Sequence, residues 1–421
     1  MENLQSLNKI KSYNMYDALL FILIASMFFG YLGRGYITPT RLIVIGLVPI
    51  VVRLFNTESM VFLRPFLLFF AFWFSYIIVS FLWVPDVSYA LLDTFLFLIN
   101  SLLFVEILVL AKCAKCPLNT IAYAWMFAFF ITSVIAIREL LFNVHLSNAR
   151  VEDTVKTNEL GDSIDFIYAA AGFYNYNTYC MFICFCFLFM IYVLSTNFNL
   201  FKFLVCVSQM VLSVVILGIN GSRGAILSII IIFGVFLFYS VRKNSKGIKW
   251  VLLSILSLFS FIFYKYGEML LEVLMFRLGQ KDLFEDNARV ELWMGSWESF
   301  VDSMGFGTGV GSMIPVLQYS RSLTLGIYYC HSLFLELLME YGAVIFLCFI
   351  GFLCKMFLRA YTNKDISKKI LLYAFFLSMP AYSIINSEYV AVTFVWCFFA
   401  SVFVFSSNSY NSVNVFEKGN N

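Results

Sequence analysis

Charged residues are scarce in this chain of 421 residues, of which only 13% are Asp, Glu, Lys or Arg. A soluble domain carries about a quarter of its residues as charges, so the composition excludes an ordinary soluble globular protein. Instead, 62% of the residues are hydrophobic and the mean hydropathy is +0.87. This is the composition of a polytopic membrane protein.

Several signatures of soluble enzymes are also missing. The glycine-rich segment that follows Met304 is not continued by the GK[ST] of a P-loop, and neither HExxH nor a nucleophile elbow occurs. An Asp-rich motif for a metal-bound nucleotide sugar is absent as well. A lone CxxC at Cys113 and Cys116 lacks the second pair that a zinc site needs. We therefore expect no cofactor and no metal, and the net charge of +3 indicates no nucleic-acid partner.

What the chain does have is a series of apolar segments. A helix needs about 20 apolar residues to cross the hydrocarbon core. By that criterion we predict an all-α polytopic fold with about 12 transmembrane helices. The predicted spans are centred near Leu23, Ile45, Phe74, Phe97, Phe127, Phe185, Val207, Ile231, Ile255, Phe346, Ala374 and Trp396.

Lysine and arginine in the short loops predict the orientation, because such loops are enriched in basic residues on the cytoplasmic side. The two strongly basic short loops are residues 242–249 and 355–369, and we place both inside. Both termini are then cytoplasmic. Residues 1–421 form a single membrane domain in this prediction, with an external lobe at residues 264–329.

Three polar segments fall on the predicted outer side and carry Arg223, Arg289 and His331. Arginine binds phosphate oxygens in a bidentate way, and histidine can accept a proton from a hydroxyl near neutral pH. Each residue also has a plainer interpretation. Arg223 can snorkel to lipid headgroups, Arg289 can pair with neighbouring carboxylates, and His331 can be an interfacial histidine without chemistry.

Other side chains near these three are candidate substrate-binding groups. Trp293 and Trp297 lie at i+4 and i+8 from Arg289 on a predicted helix at residues 288–304, where they can stack on a sugar or anchor at the interface. Glu336 and Glu340 follow His331 on one helix face, and carboxylates in a membrane span usually face a cavity.

The glycine-rich turn GFGTGVGS supplies two further candidates, Gly307 and Gly309. Unshielded backbone N–H groups in such a turn can hold an anion. The alternative is a helix stop followed by a flexible turn.

Three ordered motifs resemble the O-antigen ligase and Wzy-type polymerase superfamily of bacterial surface polysaccharide assembly. They are an SRG turn after a span, an R…W helix running into a GxGxG turn, and a His-led span with ELLxEYG, all within residues 218–351. The first half of the chain fits only as a series of spans.

The resemblance implies a metal-independent, GT-C-like glycosyltransferase of the bacterial inner membrane. Its donor would be an undecaprenyl-diphosphate-linked glycan within the lipid bilayer, and a chain-length regulator and a flippase are candidate partners. In this hypothesis Arg223 and Arg289 hold the donor diphosphate, and His331 orients or deprotonates the acceptor hydroxyl.

The resemblance leaves polymerase and ligase open. Ligases usually end the His-led motif in a GxxG-like pattern, whereas Gly342 has no second glycine close behind it. Wzy-type polymerases are diverse, Phe-rich and weakly patterned, as this chain is, so we favour a polymerase of oligosaccharide repeat units, with ligase-type transfer to a separate acceptor as the alternative. A lipid-linked oligosaccharide flippase is a rival from another class, but the chain lacks the internal repeat typical of transporters.

Overall fold

The computed structural model describes most of the apolar chain. The described residues are 13–29, 38–55, 58–146, 155–157, 163–165, 168–196, 199–242, 257, 264, 283–320, 328–407 and 410.

The described residues are almost entirely helical. The helices are α1 (Met15–Ala25), α2 (Pro39–Phe55), α3 (Arg64–Ser80), α4 (Val87–Cys113), α5 (Pro117–Phe142), α6 (Tyr176–Ser195), α7 (Leu200–Asn220), α8 (Arg223–Arg242), α9 (Leu283–Asp302), α10 (Met313–Ser320), α11 (Leu333–Thr362), α12 (Ile366–Tyr382) and α13 (Thr393–Ser406), with 3-10 turns at Ser26–Phe29 and Glu58–Leu63. Two short strands, β1 (Val155–Thr157) and β2 (Ser163–Asp165), pair antiparallel. The all-α prediction is therefore correct apart from this hairpin.

The count of spans is only partly supported. Within the described ranges, seven helices are long and apolar enough to cross a membrane. The predicted centres at Leu23, Ile45, Ala374 and Trp396 fall in the shorter helices α1, α2, α12 and α13. The predicted span near Ile255 lies outside the described residues.

Helix α6 forms the centre of the bundle, because nearly all of its side chains are buried. Aromatic rings pack it against its neighbours. Phe185 stacks on Phe398 of α13 with ring centroids 3.6 Å apart, and Trp125 of α5 stacks on Phe189 at 5.4 Å. A phenylalanine-rich sequence thus yields a closely packed interior in which aromatic pairs add to the burial of apolar area.

Helix α11 is interrupted at Gly342, where φ is 73° and ψ is 178°. This backbone region is essentially confined to glycine. The interruption divides α11 into two parts, which we name by the predicted orientation the outer half, residues 333–341, and the inner half, residues 343–362. His331 lies just before the outer half, so this break determines how the candidate site is built.

The predicted external lobe is described only in part. Helix α9 begins at Leu283 and ends at Asp302, so it starts earlier than the predicted helix at residues 288–304. A glycine-rich turn joins it to α10. Residues 265–282 and 321–327 of the predicted lobe lie outside the described residues.

Candidate functional site

The glycine-rich turn of the lobe fills the break in α11. A helix that breaks within a membrane frees backbone groups that must find new partners. Here the N–H of Thr308 donates to the carbonyl of Met339 at 2.7 Å, the N–H of Gly309 donates to that of Glu340 at 3.0 Å, and the N–H of Ala343 donates to that of Gly305 at 2.9 Å. The hydroxyl of Tyr76 from α3 donates to the Glu340 carbonyl at 2.8 Å. The turn and the break therefore stabilise each other.

Glycine is required at these positions by close approach. A Cβ on Gly307 would lie 2.6 Å from the backbone nitrogen of Gly342, and one on Gly309 would lie 2.6 Å from Val84. The N–H of Gly307 donates to Ser303 Oγ at 3.0 Å. Both amides, which were predicted to contribute to substrate binding, thus make hydrogen bonds inside the protein. This arrangement favours the turn interpretation over an anion site at Gly307 and Gly309.

Glu336 and Glu340 fasten the outer half of α11 to other segments. Both side chains are buried, at 1% and 3% exposure. The carboxylate of Glu336 accepts the backbone N–H groups of Tyr389 and Val390 at 2.9 and 2.8 Å. That of Glu340 accepts the N–H of Met313, the first residue of α10, at 3.0 Å. The two carboxylates predicted to contact substrate therefore bind backbone amides in this structure.

His331 sits at the head of this fastened half-helix. Its φ is +46°, a left-handed conformation that costs a non-glycine residue energy and persists only where the surroundings enforce it. Ser332 caps α11 by accepting the N–H of Leu335, and the N–H of Leu333 donates to Ser383 at 3.0 Å. The histidine is thereby held in one position.

The electrostatics of the site keep His331 neutral. Burial, and then the positive charge of Arg289, lower the pKa of His331 to about 4. Its Nδ1 atom is buried and has no hydrogen-bond partner among the residues that the structure describes. An uncharged imidazole with an unoccupied ring nitrogen can accept a proton at neutral pH.

Arg289 is near enough for its charge to act on His331, because α9 packs against α11. The same face of α9 carries the two tryptophans. Trp297 is 50% exposed and lies 5.4 Å from the ring of Phe300, whereas Trp293 is partly buried. Trp297 therefore offers an accessible ring, and its role in binding a sugar stays a prediction.

Arg223 is the first residue of α8. Its side chain is exposed at the start of that helix. A Cβ on the adjacent Gly224 would lie 3.0 Å from Ile385 and 3.1 Å from the carbonyl of Ala381. Ser383, in the same segment at the end of α12, accepts the hydrogen bond from Leu333. Gly224 and Leu333, which lie one and two residues after Arg223 and His331, therefore both approach residues 381–385.

All three predicted site residues lie inside the segment that matches a known family. Residues 209–350, which include Arg223, Arg289 and His331, match the family model described as O-Antigen ligase. The predicted superfamily resemblance is confirmed. The chain is also 25% identical over 296 residues to the teichuronic acid biosynthesis protein TuaE of Bacillus subtilis (strain 168). The aligned region covers 68% of this chain and 59% of that protein. The match thus extends over little more than half of the relative's length.

Beside the O-antigen ligase motifs lies an acidic group that sequence analysis missed. Asp93 of α4 and Glu388 interact electrostatically, and Tyr329 makes a hydrogen bond with Glu388. Glu388 has a φ of +58° and an exposed side chain, yet burial raises its pKa. We call Asp93, Tyr329 and Glu388 the acidic rim.

One signal could have found the acidic rim. Asp93 is an ionisable residue inside an apolar span, and such residues usually mark a site. Glu388 has no such signature because it lies in a connection between helices. Within the described part of the chain, no three His, Cys, Asp or Glu side chains converge to suit a metal ion.

Proposed function

We propose that the protein is a membrane glycosyltransferase that polymerises undecaprenyl-diphosphate-linked oligosaccharide repeat units into a surface polysaccharide. The observation that carries the proposal is the placement of Arg289 beside a neutral His331 at the head of a rigidly held half-helix. A cation suits the leaving diphosphate, and a neutral imidazole suits the attacking hydroxyl. The match to the O-antigen ligase family supports the reaction class.

In the proposed reaction, His331 accepts the proton of the acceptor hydroxyl. The resulting oxygen nucleophile forms a bond with the anomeric carbon of the donor sugar, while the bond from that carbon to the diphosphate oxygen breaks. Arg289 and Arg223 stabilise the negative charge on the departing undecaprenyl diphosphate. A bound diphosphate also offsets the charge of Arg289, which raises the basicity of His331 when the donor is present.

The remaining parts of the substrate fit neighbouring surfaces. Trp293 and Trp297 would lie beneath the glycan, and the acidic rim would accept sugar hydroxyls. An apolar cavity of about 60 Å³ begins at Leu333, next to His331, and continues between Trp73 and Trp396. It can receive part of the polyprenyl tail between α3, α11 and α13.

Polymerase is favoured over ligase by the sequence after Gly342, which departs from the ligase pattern. The similarity to a teichuronic acid biosynthesis protein supports a role in surface polysaccharide synthesis. We further propose that the enzyme acts without a metal in the bacterial inner membrane, with both termini cytoplasmic, alongside a flippase and a chain-length regulator.

The test uses purified protein given only undecaprenyl-diphosphate-linked repeat units, without ATP, nucleotide sugar or added metal. A polymerase produces a ladder of lipid-linked multimers and releases undecaprenyl diphosphate, because the sugar–diphosphate bond drives the transfer. A ligase stays idle until a separate acceptor is supplied. Movement of the lipid across a vesicle without lengthening identifies a flippase and refutes the enzyme proposal.

A further inference from the structure

A second and larger cavity lies at the opposite end of α11 from His331. Its volume is about 660 Å³, and α3, α11 and α13 enclose it. Most of its apolar lining, which we call the phenylalanine wall, comes from Phe62, Pro65, Phe66, Phe69, Phe352 and Phe403. Its polar lining includes Lys355, Arg359, Ser406 and Ser407. We call it the α3–α11–α13 cavity.

The positive charge in this cavity is not matched by an acidic side chain in its lining. Nη1 of Arg359 is buried and has no hydrogen-bond partner in the part of the chain that the structure describes. Its guanidinium lies 5.3 Å from the ring centroid of Phe403. Lys355 lies four residues earlier, one helical turn away on the same face, and is exposed. These two cationic side chains therefore favour a negatively charged ligand in the cavity.

The cavity opens on the exposed surface of the bundle. Pro65, Cys348 and Gly351 line it and are exposed. A Cβ on Gly351 would meet no atom of the described residues within 4 Å. The exposed face of a membrane-spanning helix borders lipid, so an amphiphile can enter from the bilayer without crossing the protein.

We propose that the α3–α11–α13 cavity binds one anionic phospholipid. Its phosphate would accept hydrogen bonds from Arg359 and contact Lys355, while an acyl chain would follow the phenylalanine wall. Basic pockets between membrane helices bind such headgroups, and α11 ends at the basic loop predicted to be cytoplasmic. The aromatic wall favours a lipid over free phosphate, and the cations favour it over the neutral end of a polyprenyl tail.

The test is lipid binding to the purified full-length protein in neutral detergent, measured by native mass spectrometry with phosphatidylglycerol and phosphatidylcholine. We expect phosphatidylglycerol to bind and phosphatidylcholine to bind much more weakly. Arg359→Gln should weaken phosphatidylglycerol binding about tenfold, the size of one lost charge-assisted hydrogen bond. Gly351→Trp should abolish binding by filling the cavity while both cations remain. Lys364→Gln is the control, since Lys364 is exposed near the same end of α11 but does not line the cavity.

Several results would overturn the proposal. If phosphatidylglycerol and phosphatidylcholine bind equally, the charge of the headgroup does not determine binding. If inorganic phosphate alone protects the protein against thermal unfolding, the ligand is an ion and not a lipid. If neutral polyprenol displaces phosphatidylglycerol, the cavity binds the donor's tail. If Arg359→Gln fails to fold, Lys355→Gln and Gly351→Trp still test the site, because both positions are exposed. Unchanged phosphatidylglycerol binding in those two variants would refute it.

Discussion

The two halves of α11 are held in different ways. The outer half is fixed by hydrogen bonds from distant backbone amides to Glu336 and Glu340 and by glycine contacts too close for any side chain. The inner half is held by aromatic packing, such as Phe349 on Phe399 and Phe352 on Phe403, both at 5.7 Å. Directional bonds fix a single geometry, whereas apolar contacts of this kind tolerate substitution of similar volume.

This difference explains why α11 carries buried carboxylates. A carboxylate in a membrane is costly unless it is satisfied, and Glu336 and Glu340 both accept backbone N–H groups of separate segments. Within α11, buried carboxylates occur only in the half that positions His331 and its left-handed backbone. The following experiments test whether the outer half is as rigid as this account requires.

The largest effect is expected from Gly342→Ala. Its Cβ would collide with the carbonyl of Phe306 in a backbone region restricted to glycine, and strain and overpacking together should cost on the order of 3 kcal/mol. We expect loss of activity and a clearly lower Tm. Gly351→Ala is the matched control on the inner half, where a Cβ enters open space. If the Ala substitution leaves activity and Tm unchanged at both positions, the outer half of α11 is not rigidly held.

The next largest effect is expected from the arginines. Arg289→Ala and Arg223→Ala should each lower the rate of transfer about a hundredfold, the cost of losing a contact to a developing anion. The Lys variants should recover only part of the rate, because the bidentate geometry is lost. The measurement is chain elongation at equal protein abundance. Full activity in either Ala variant removes that arginine from the mechanism.

A smaller effect is expected from Glu336→Gln. The amide can accept one backbone N–H but turns a donor toward the other, which costs about 1–3 kcal/mol. Thermal unfolding should begin at a lower temperature, and transfer should slow. Glu106→Gln is the control, since Glu106 is buried with neither oxygen partnered among the described residues. That variant should be at least as stable as the parent, and the reverse ranking would count against the anchoring role of Glu336.

The pH dependence gives the mildest test. Because the pKa of His331 is lowered to about 4, the imidazole is neutral throughout the physiological range. The acidic fall in kcat/KM, which reports the free enzyme, should therefore lie near that value and not near the ordinary histidine pKa of about 6.5. Arg289→Ala should move this fall to higher pH by removing one cause of the shift. If the pH profile of kcat/KM is the same in Arg289→Ala as in the parent, the charge of Arg289 does not act on His331.

Sequence alone predicted the helical membrane fold, because apolar length is a local property. It grouped Arg289 with His331 only through the predicted topology and the family resemblance, since the packing of α9 against α11 depends on the folded structure. The roles of Glu336, Glu340, Gly307 and Gly309 were not predictable, since they depend on which distant segments meet the break at Gly342. The acidic rim was missed for the same reason, because Asp93 and Glu388 meet only after folding.

The central claim is tested most directly by His331→Ala in a two-part assay of purified protein. One part measures binding of the undecaprenyl-diphosphate-linked donor, and the other measures glycosidic bond formation in a single turnover. The account predicts near-normal donor binding with transfer abolished, while His145→Gln, which changes the other histidine, retains both. Transfer at the parent rate by His331→Ala would contradict the claim that this histidine acts on the acceptor hydroxyl.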